Sequence, residues 1–315
     1  MEYNKWIADL EAGDEIEGFY ILKTAQIKTS NSGKPFLAGS AADRSGAIDI
    51  KIWDYAGPLG PQDEGCVVKL RGSVSEYRGT LQLIVSRIRT TQEDDRYTLS
   101  ELVPAAPIDA EAGWQELLEL VRSIQDKDYR TLCQTVLDRN AGRFQLLPGG
   151  KSMHHSFLNG LLMHTLYMAR TAQFLAGLYS DVVDRDLLLA GTILHDVAKC
   201  REFVTSPLGL VTEYSIPGEL LGHLVMGAQA VAEAAKELGV PDEKSLLLQH
   251  MLLSHHGEPE FGAAVRPMCA EAELLSLIVL VDSRMEIYKE TMEETEPGRF
   301  SKRVFALDKK IFRHR

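Results

Sequence analysis

The chain has 315 residues, 45% of them hydrophobic and 25% charged. This composition excludes disordered, collagen-like and disulfide-scaffold classes and leaves room for about two domains. A formal charge of -11 works against nucleic-acid binding by the field of the whole molecule and leaves that task to local basic surfaces. Apolar stretches such as Leu274 to Val281 fall well short of the roughly 18 residues of a membrane span. The start Met1-Glu2-Tyr3-Asn4-Lys5 has no basic segment followed by an apolar one, so a cytoplasmic protein is expected, with no membrane partner. The four cysteines, Cys66, Cys133, Cys200 and Cys269, are widely scattered and form no C-x-x-C pair, which argues for reduced thiols and against a thiolate zinc site.

From Asp14 to Thr91 apolar and polar residues alternate in five short runs: Ile16 to Lys28, Pro35 to Ala42, Ala47 to Trp53, Val67 to Tyr77 and Leu81 to Arg89. Turn-forming stretches separate them at 31–34, 44–46, 57–65 and 78–79. Period-two alternation is the mark of half-buried strands, and five of them in so short a span predict a small closed barrel such as an OB-fold. The segment Glu93 to Gly113, with its acidic run and with Pro104 and Pro107, reads as a linker. The expected division is therefore a barrel at 1–92, a linker at 93–113 and a second domain at 114–315.

Beyond the linker the period changes to that of helices, over Trp114 to Ile124, Tyr129 to Arg139, Leu158 to Leu178, Arg185 to Ala198, Glu219 to Leu238, Glu243 to Ser254 and Ala270 to Lys289. The second domain is expected to be all-helical. Eight of the nine histidines fall in its helical part, with His314 isolated in the tail, and several take positions where a core prefers an apolar side chain. His164 lies within Leu161 to Leu166, His195-Asp196 follows Leu187 to Leu194, and His223 lies within Leu220 to Leu224. His255-His256 closes another apolar helix, and Asp282 interrupts an apolar run. Burying one unpaired polar group costs a few kcal/mol, so five helices that each do so need a common compensation. A divalent metal centre supplies one, and imidazoles with carboxylates suit Mn, Fe, Co, Ni or Zn. His250, one turn before Ser254, is assigned to structure.

The order H…HD…H…HH…D, with Lys199 three residues after Asp196, resembles the HD-domain metal-dependent phosphohydrolases over residues 150 to 290. The flanking segments Lys151-Ser152-Met153-His154-His155, Asn159 to Thr165, His195-Asp196-Val197-Ala198-Lys199 and Leu253 to Glu258 are similar to those of YhaM-type 3′-to-5′ exoribonucleases. Those proteins also place an OB-fold first. The resemblance implies that His164, His195, Asp196 and Asp282 hold one metal ion, and that His223, His255 and His256 hold a second, with Asp196 bridging. Manganese is the expected ion. It further implies a catalytic role for Asp196, and release of nucleoside 5′-monophosphates from single-stranded RNA, with single-stranded DNA as a further substrate. Where the family tends to carry two acids three residues apart on the last ligand helix, this chain has Val279 upstream of Asp282, with Glu286 one turn further on as the alternative ligand.

Lys199, one turn from His195 and Asp196, is placed to contact a phosphate oxygen in catalysis. His154 and His155 lie more than two turns from His164 and are assigned to substrate phosphate. In the barrel, alternation puts Lys51 and Trp53 on the face opposite Ile48, Ile50 and Ile52, and Lys69 and Arg71 opposite Val68 and Leu70. An exposed aromatic among cations is how OB-folds hold single strands, so these four residues are assigned to substrate, with Phe36, Tyr77 and Arg78 as additions. The tail Arg299 to Arg315 carries seven basic residues against Asp308 alone; it is read as a guide for a phosphate backbone, a solvated segment or a contact in a homo-oligomer. The alternative function is an HD-type phosphohydrolase of a nucleotide or cyclic dinucleotide, with a regulatory barrel.

Overall fold

The computed structural model describes residues 2–30, 33–150, 156–206 and 208–315. The chain divides into two compact units, residues 1–105 with 205–210, and residues 106–204 with 211–315. The division falls inside the segment read as a linker, which also holds the short helix α1 (Leu99–Leu102) and the first turn of α2 (Ala110–Arg122).

In the first unit the five alternating runs form β2 (Glu15–Thr29), β3 (Pro35–Asp43), β4 (Gly46–Trp53), β5 (Val67–Tyr77) and β6 (Thr80–Thr90), with the two-residue β1 (Glu2–Tyr3) added in parallel to β2. The strand order β2-β3-β4-β6-β5 returns to β2, which makes a closed OB-type barrel. The long strand β2 closes it by serving two neighbours, pairing with β5 over Glu15 to Ile21 and with β3 over Ile21 to Thr29. A register shift between Leu22 and Thr24 lets the strand bend between its two partners. Gly39 of β3 meets that bend: a Cβ there would stand 2.0 Å from the Thr24 carbonyl oxygen, so only glycine fits. The inward residues, among them Ile16, Leu22, Leu37, Ile50, Leu70 and Leu83, form a single apolar core.

The second unit is built of α2, α3 (Lys127–Asp138), α4 (Ala141–Leu146), α5 (Gly160–Leu178), α6 (Arg185–Leu194), α7 (Lys199–Glu202), α8 (Ile216–Leu238), α9 (Asp242–Ser254) and α10 (Ala270–Glu293). Two short strands, β7 (Phe203–Thr205) and β8 (Val211–Tyr214), precede α8. Asp109, Asp126, Asp184 and Ser215 cap the starts of α2, α3, α6 and α8 with side-chain oxygens, satisfying amides that no helical carbonyl reaches. Helices α5 and α6 are buried on most sides, which is why their sequences show continuous apolar runs and why a polar residue within them stands out.

Two expectations need correction. The helix expected over Arg185 to Ala198 ends at Leu194, because the chain turns at His195 and Asp196 before starting α7. The tail breaks the all-helical pattern: β9 (Arg299–Val304) and β10 (Lys309–Arg313) form an antiparallel hairpin. Ile311 is buried, Phe300 pairs with Phe312 across the strands, and the Arg313 guanidinium donates to the carbonyls of Met292 and Thr295 at 2.6 and 2.8 Å. The arginine thus satisfies carbonyls at the end of α10 that have no helical partner. The high charge of the tail hides its strand alternation from a reading by composition.

Gly39→Ala is expected to destabilise the barrel by roughly 1–3 kcal/mol, the cost of forcing a backbone shift in a packed site. A calorimetric midpoint equal to that of the unsubstituted protein contradicts the close approach.

Candidate metal centre

Four helices of the second unit bring six of the expected ligands together. His164 comes from the middle of α5, His195 and Asp196 from the turn after α6, His223 from α8, and His255 and His256 from the end of α9. Two sets of potential donor atoms result, one from His164, His195 and Asp196 and one from His223, His255 and His256, with the atoms of each set within 4.8 Å of one another. The Asp196 carboxylate lies between the sets. Its Oδ2 is 3.2 Å from His195 Nε2 and 3.6 Å from His164 Nε2, and its Oδ1 is 3.3 Å from His223 Nε2 and 3.7 Å from His255 Nε2.

Helix termini decide which nitrogen of each ring faces inward. His195 Nδ1 donates to the Thr192 carbonyl at 2.7 Å and His255 Nδ1 donates to the Leu252 carbonyl at 2.8 Å. Each carbonyl lies three residues back at a helix C-terminus, where it has no amide of its own helix to accept from. The bond places the ring proton on Nδ1 and leaves Nε2 with a lone pair toward Asp196. His164 reaches the same state through Asp282, whose Oδ2 lies 2.6 Å from His164 Nδ1. Burial pushes the His164 imidazole down to about 4 against the pull of Asp282, pushes His256 down to about 4, and holds His255 well below its ordinary value. These rings are neutral at neutral pH, as metal ligation requires.

Burial opposes the charge of Asp196, yet its carboxyl is held well below the usual carboxylate range, with the Lys199 ammonium beside it. The Lys199 ammonium donates to Asp196 Oδ2 and to the Gly149 carbonyl, both at 2.7 Å. The lysine expected to contact substrate phosphate thus also orients Asp196.

The donor set fits a cation. His164 Nε2 and His195 Nε2 face each other at 3.2 Å with both Nδ1 atoms on acceptors, so two lone pairs meet beside a carboxylate. Among the described residues, Asp196 Oδ1, His223 Nε2 and His256 Nδ1 are buried without a hydrogen-bond partner. A buried array of acceptors costs free energy that a divalent ion removes.

Asp282, expected as a ligand beside His164, His195 and Asp196, is in neither donor set; its Oδ2 lies at His164 Nδ1, where it fixes the tautomer. Glu286, the alternative, is buried and accepts from Lys289 at 3.4 Å, and it belongs to neither donor set. His250 has the structural role expected of it, with Nε2 accepting the Met268 amide at 2.9 Å. His154 and His155 lie outside the described residues. On the barrel, Trp53 is 52% exposed and stacks on Phe36 with ring centroids 5.0 Å apart, and Lys51 lies over the rings of Trp53 and Tyr77. Lys69 and Arg71 do not join this surface; Lys69 pairs with Glu17 at 3.2 Å, over Phe19.

Sequence reasoning missed Glu202. It is a buried carboxylate whose Oε1 accepts both the backbone amide of His223 at 2.9 Å and its Nδ1 at 3.0 Å. The preceding residue, Gly222, has φ 70° and breaks the regular helical path of α8, a conformation that disfavours any residue with a Cβ. The break frees the His223 amide for Glu202, and the shared carboxylate turns Nε2 toward Asp196. The available signal was the glycine directly before a histidine inside an apolar helix. Glu202→Ala is expected to weaken metal binding at the His223 set by about 10- to 100-fold, as outer-shell substitutions do, and Glu202→Gln, which keeps the acceptor, by much less. Calorimetric metal titrations giving equal affinities for both variants and the unsubstituted protein contradict this role.

The HD domain family matches residues 161–278, a span that covers every residue of both donor sets. Among solved structures, the OB domain of a Thermoplasma acidophilum protein aligns with 31% of this chain and 94% of its own at 19% identity and a TM-score of 0.26. The HD domain of the Listeria monocytogenes phosphodiesterase PgpH aligns with 49% of this chain and 73% of its own at 16% identity and a TM-score of 0.30. The 3′-5′ exoribonuclease YhaM of Shouchella clausii is 35% identical over 313 residues, 98% of this chain and 96% of that protein. With that near end-to-end similarity, the chain belongs to the YhaM family of 3′-5′ exoribonucleases.

Proposed function

We propose that this protein shortens single-stranded RNA from the 3′ end, at the centre around Asp196, releasing nucleoside 5′-monophosphates. The observation that carries this reading is the division of the Asp196 carboxylate, one oxygen toward His164 and His195 and the other toward His223 and His255. Two ions, manganese by preference, would be held by these residues with His256, sharing Asp196. Such ions supply a nucleophile at neutral pH and offset charge on the phosphoryl oxygens.

The chain's own groups prepare the site for this. Lys199 keeps the Asp196 carboxylate ionised and oriented, the carbonyls of Thr192 and Leu252 fix two rings, and Asp282 and Glu202 fix two more. Attack of water on the last phosphodiester, with departure of the 3′ oxygen of the preceding nucleotide, yields the 5′-monophosphate. On the barrel, Phe36 and Trp53 offer a stacking surface for bases, and Lys51 beside them offers charge to the backbone.

A 3′-labelled RNA and a DNA of matched sequence, each incubated with Mn²⁺ and with EDTA, test the activity. Loss of single nucleotides from the RNA with Mn²⁺ alone is expected, and internal cleavage or EDTA-resistant turnover contradicts the reading. Asp196→Asn is expected to abolish turnover and lower the metal content measured by elemental analysis. Trp53→Ala is expected to weaken binding of long strands by roughly 1–3 kcal/mol, the value of one stacked base, while a dinucleotide is cut at the unsubstituted rate; equal losses on both substrates exclude the stacking role.

A further inference from the structure

The cations of the barrel occupy two separate surfaces. Lys51 stands with the aromatic residues Phe36, Trp53 and Tyr77. A second surface is a groove of about 520 Å³ along β5 and β6, walled by Lys69, Arg71, Arg87 and Arg89, with Ile52 and Tyr55 at its apolar side. The antiparallel register puts Lys69 directly opposite Arg89 and Arg71 directly opposite Arg87. Like charges facing each other across a ladder destabilise a sheet, and this barrel has two such pairs in succession, about 7 Å apart along the strand.

The chain neutralises only one of the two pairs. Lys69 is paired with Glu17 at 3.2 Å, and Arg89 grips Asp95 through two nitrogens at 2.6 and 2.8 Å. Asp95 belongs to the acidic run after β6, so the groove already holds one two-oxygen anion in the fork geometry that guanidinium offers to carboxylate and phosphate alike. Arg71 lies opposite Glu17 as well as Arg87, but the Glu17 carboxylate goes to Lys69. Among the described residues, no carboxylate lies within ion-pair distance of the Arg71 or Arg87 guanidinium. Two unneutralised guanidinium groups thus face one another at the surface, beside a pair that is satisfied.

We infer that the Arg71–Arg87 pair is a phosphate clamp for the backbone of the RNA strand, on a track distinct from the stacking face of Phe36 and Trp53. This deepens the proposed function and rests on it. A backbone is favoured over an acidic peptide because the same barrel unit carries an exposed base-stacking surface. The clamp reads no bases; it holds the strand while the aromatic face takes them.

The full-length protein, kept in EDTA so that the strand stays whole, is titrated with a fluorescein-labelled oligouridylate at several KCl concentrations. Arg71→Gln/Arg87→Gln is expected to lose about tenfold in affinity, the scale of one charge-assisted contact, and to flatten the slope of log K against log salt by about 0.7, one phosphate's share for a single strand. Trp53→Ala is expected to lower affinity and keep the slope. Arg87→Glu, which replaces a like-charge pair by an opposite one, is expected to keep or raise the thermal midpoint while weakening RNA binding; a lowered midpoint with RNA binding intact shows a structural role and overturns the clamp. Unchanged affinity and slope in the double variant also overturn it, and leave the exonuclease reading standing. Loss of polyglutamate binding with RNA binding unaffected assigns the groove to an acidic protein and overturns it likewise. An unsubstituted protein that neither binds nor shortens the oligouridylate overturns the exonuclease reading itself.

Discussion

The helical unit is organised around one buried carboxylate. Placing Asp196 out of water costs several kcal/mol unless opposite charge compensates it; Lys199 supplies that charge on one oxygen, and the imidazole nitrogens around both oxygens complete a set of donor atoms for a cation. Each of those rings is itself polar and buried, so each needs a partner for the nitrogen facing away from the centre. Thr192, Leu252, Asp282 and Glu202 supply those partners. The demand of a single charge therefore propagates outward through two shells and fixes the ends of α6 and α9, the break in α8 and the register of α10.

The economy of the arrangement lies in its use of helix termini. A carbonyl at a C-terminus lacks an intrahelical donor and must find one. In α6 and α9 the histidine that follows provides it, and the bond that completes the helix also selects the tautomer that presents Nε2 to the centre. Folding and ligand preparation are here the same hydrogen bond. The barrel shows a related division of tasks: one face of each strand closes the core, and the outer faces divide into an aromatic surface and a cationic groove.

Much of this is legible in the amino-acid order because the signals are periodic. Alternation marks the barrel strands, and His164, His223 and Asp282 stand out because each interrupts an apolar helical run. What stays hidden depends on direction rather than on type. Asp282 lies on the expected helix, but no pattern tells that its carboxylate goes to the far nitrogen of His164. Lys199 lies at the expected spacing, yet it points at Asp196 and the Gly149 carbonyl. Glu202 ends the short helix α7 beside Lys199 and Arg201, where an acid ordinarily faces water. Lys69 and Lys51 share a strand-face logic, and only the closure of the barrel separates their surfaces. The tail hairpin is masked by its own charge.

The distances in sequence that the centre spans have a consequence during synthesis. The last strand of the barrel, β6, is complete at Thr90. His164 and Asp282, by contrast, are 118 residues apart, and α10 runs to Glu293. At about 5–20 residues per second on the ribosome, the barrel emerges and closes well before the helix that orients His164 has been made. A nascent or prematurely terminated chain thus carries a finished barrel with an unfinished hydrolytic centre, and degradative capacity arrives only once α10 has been made.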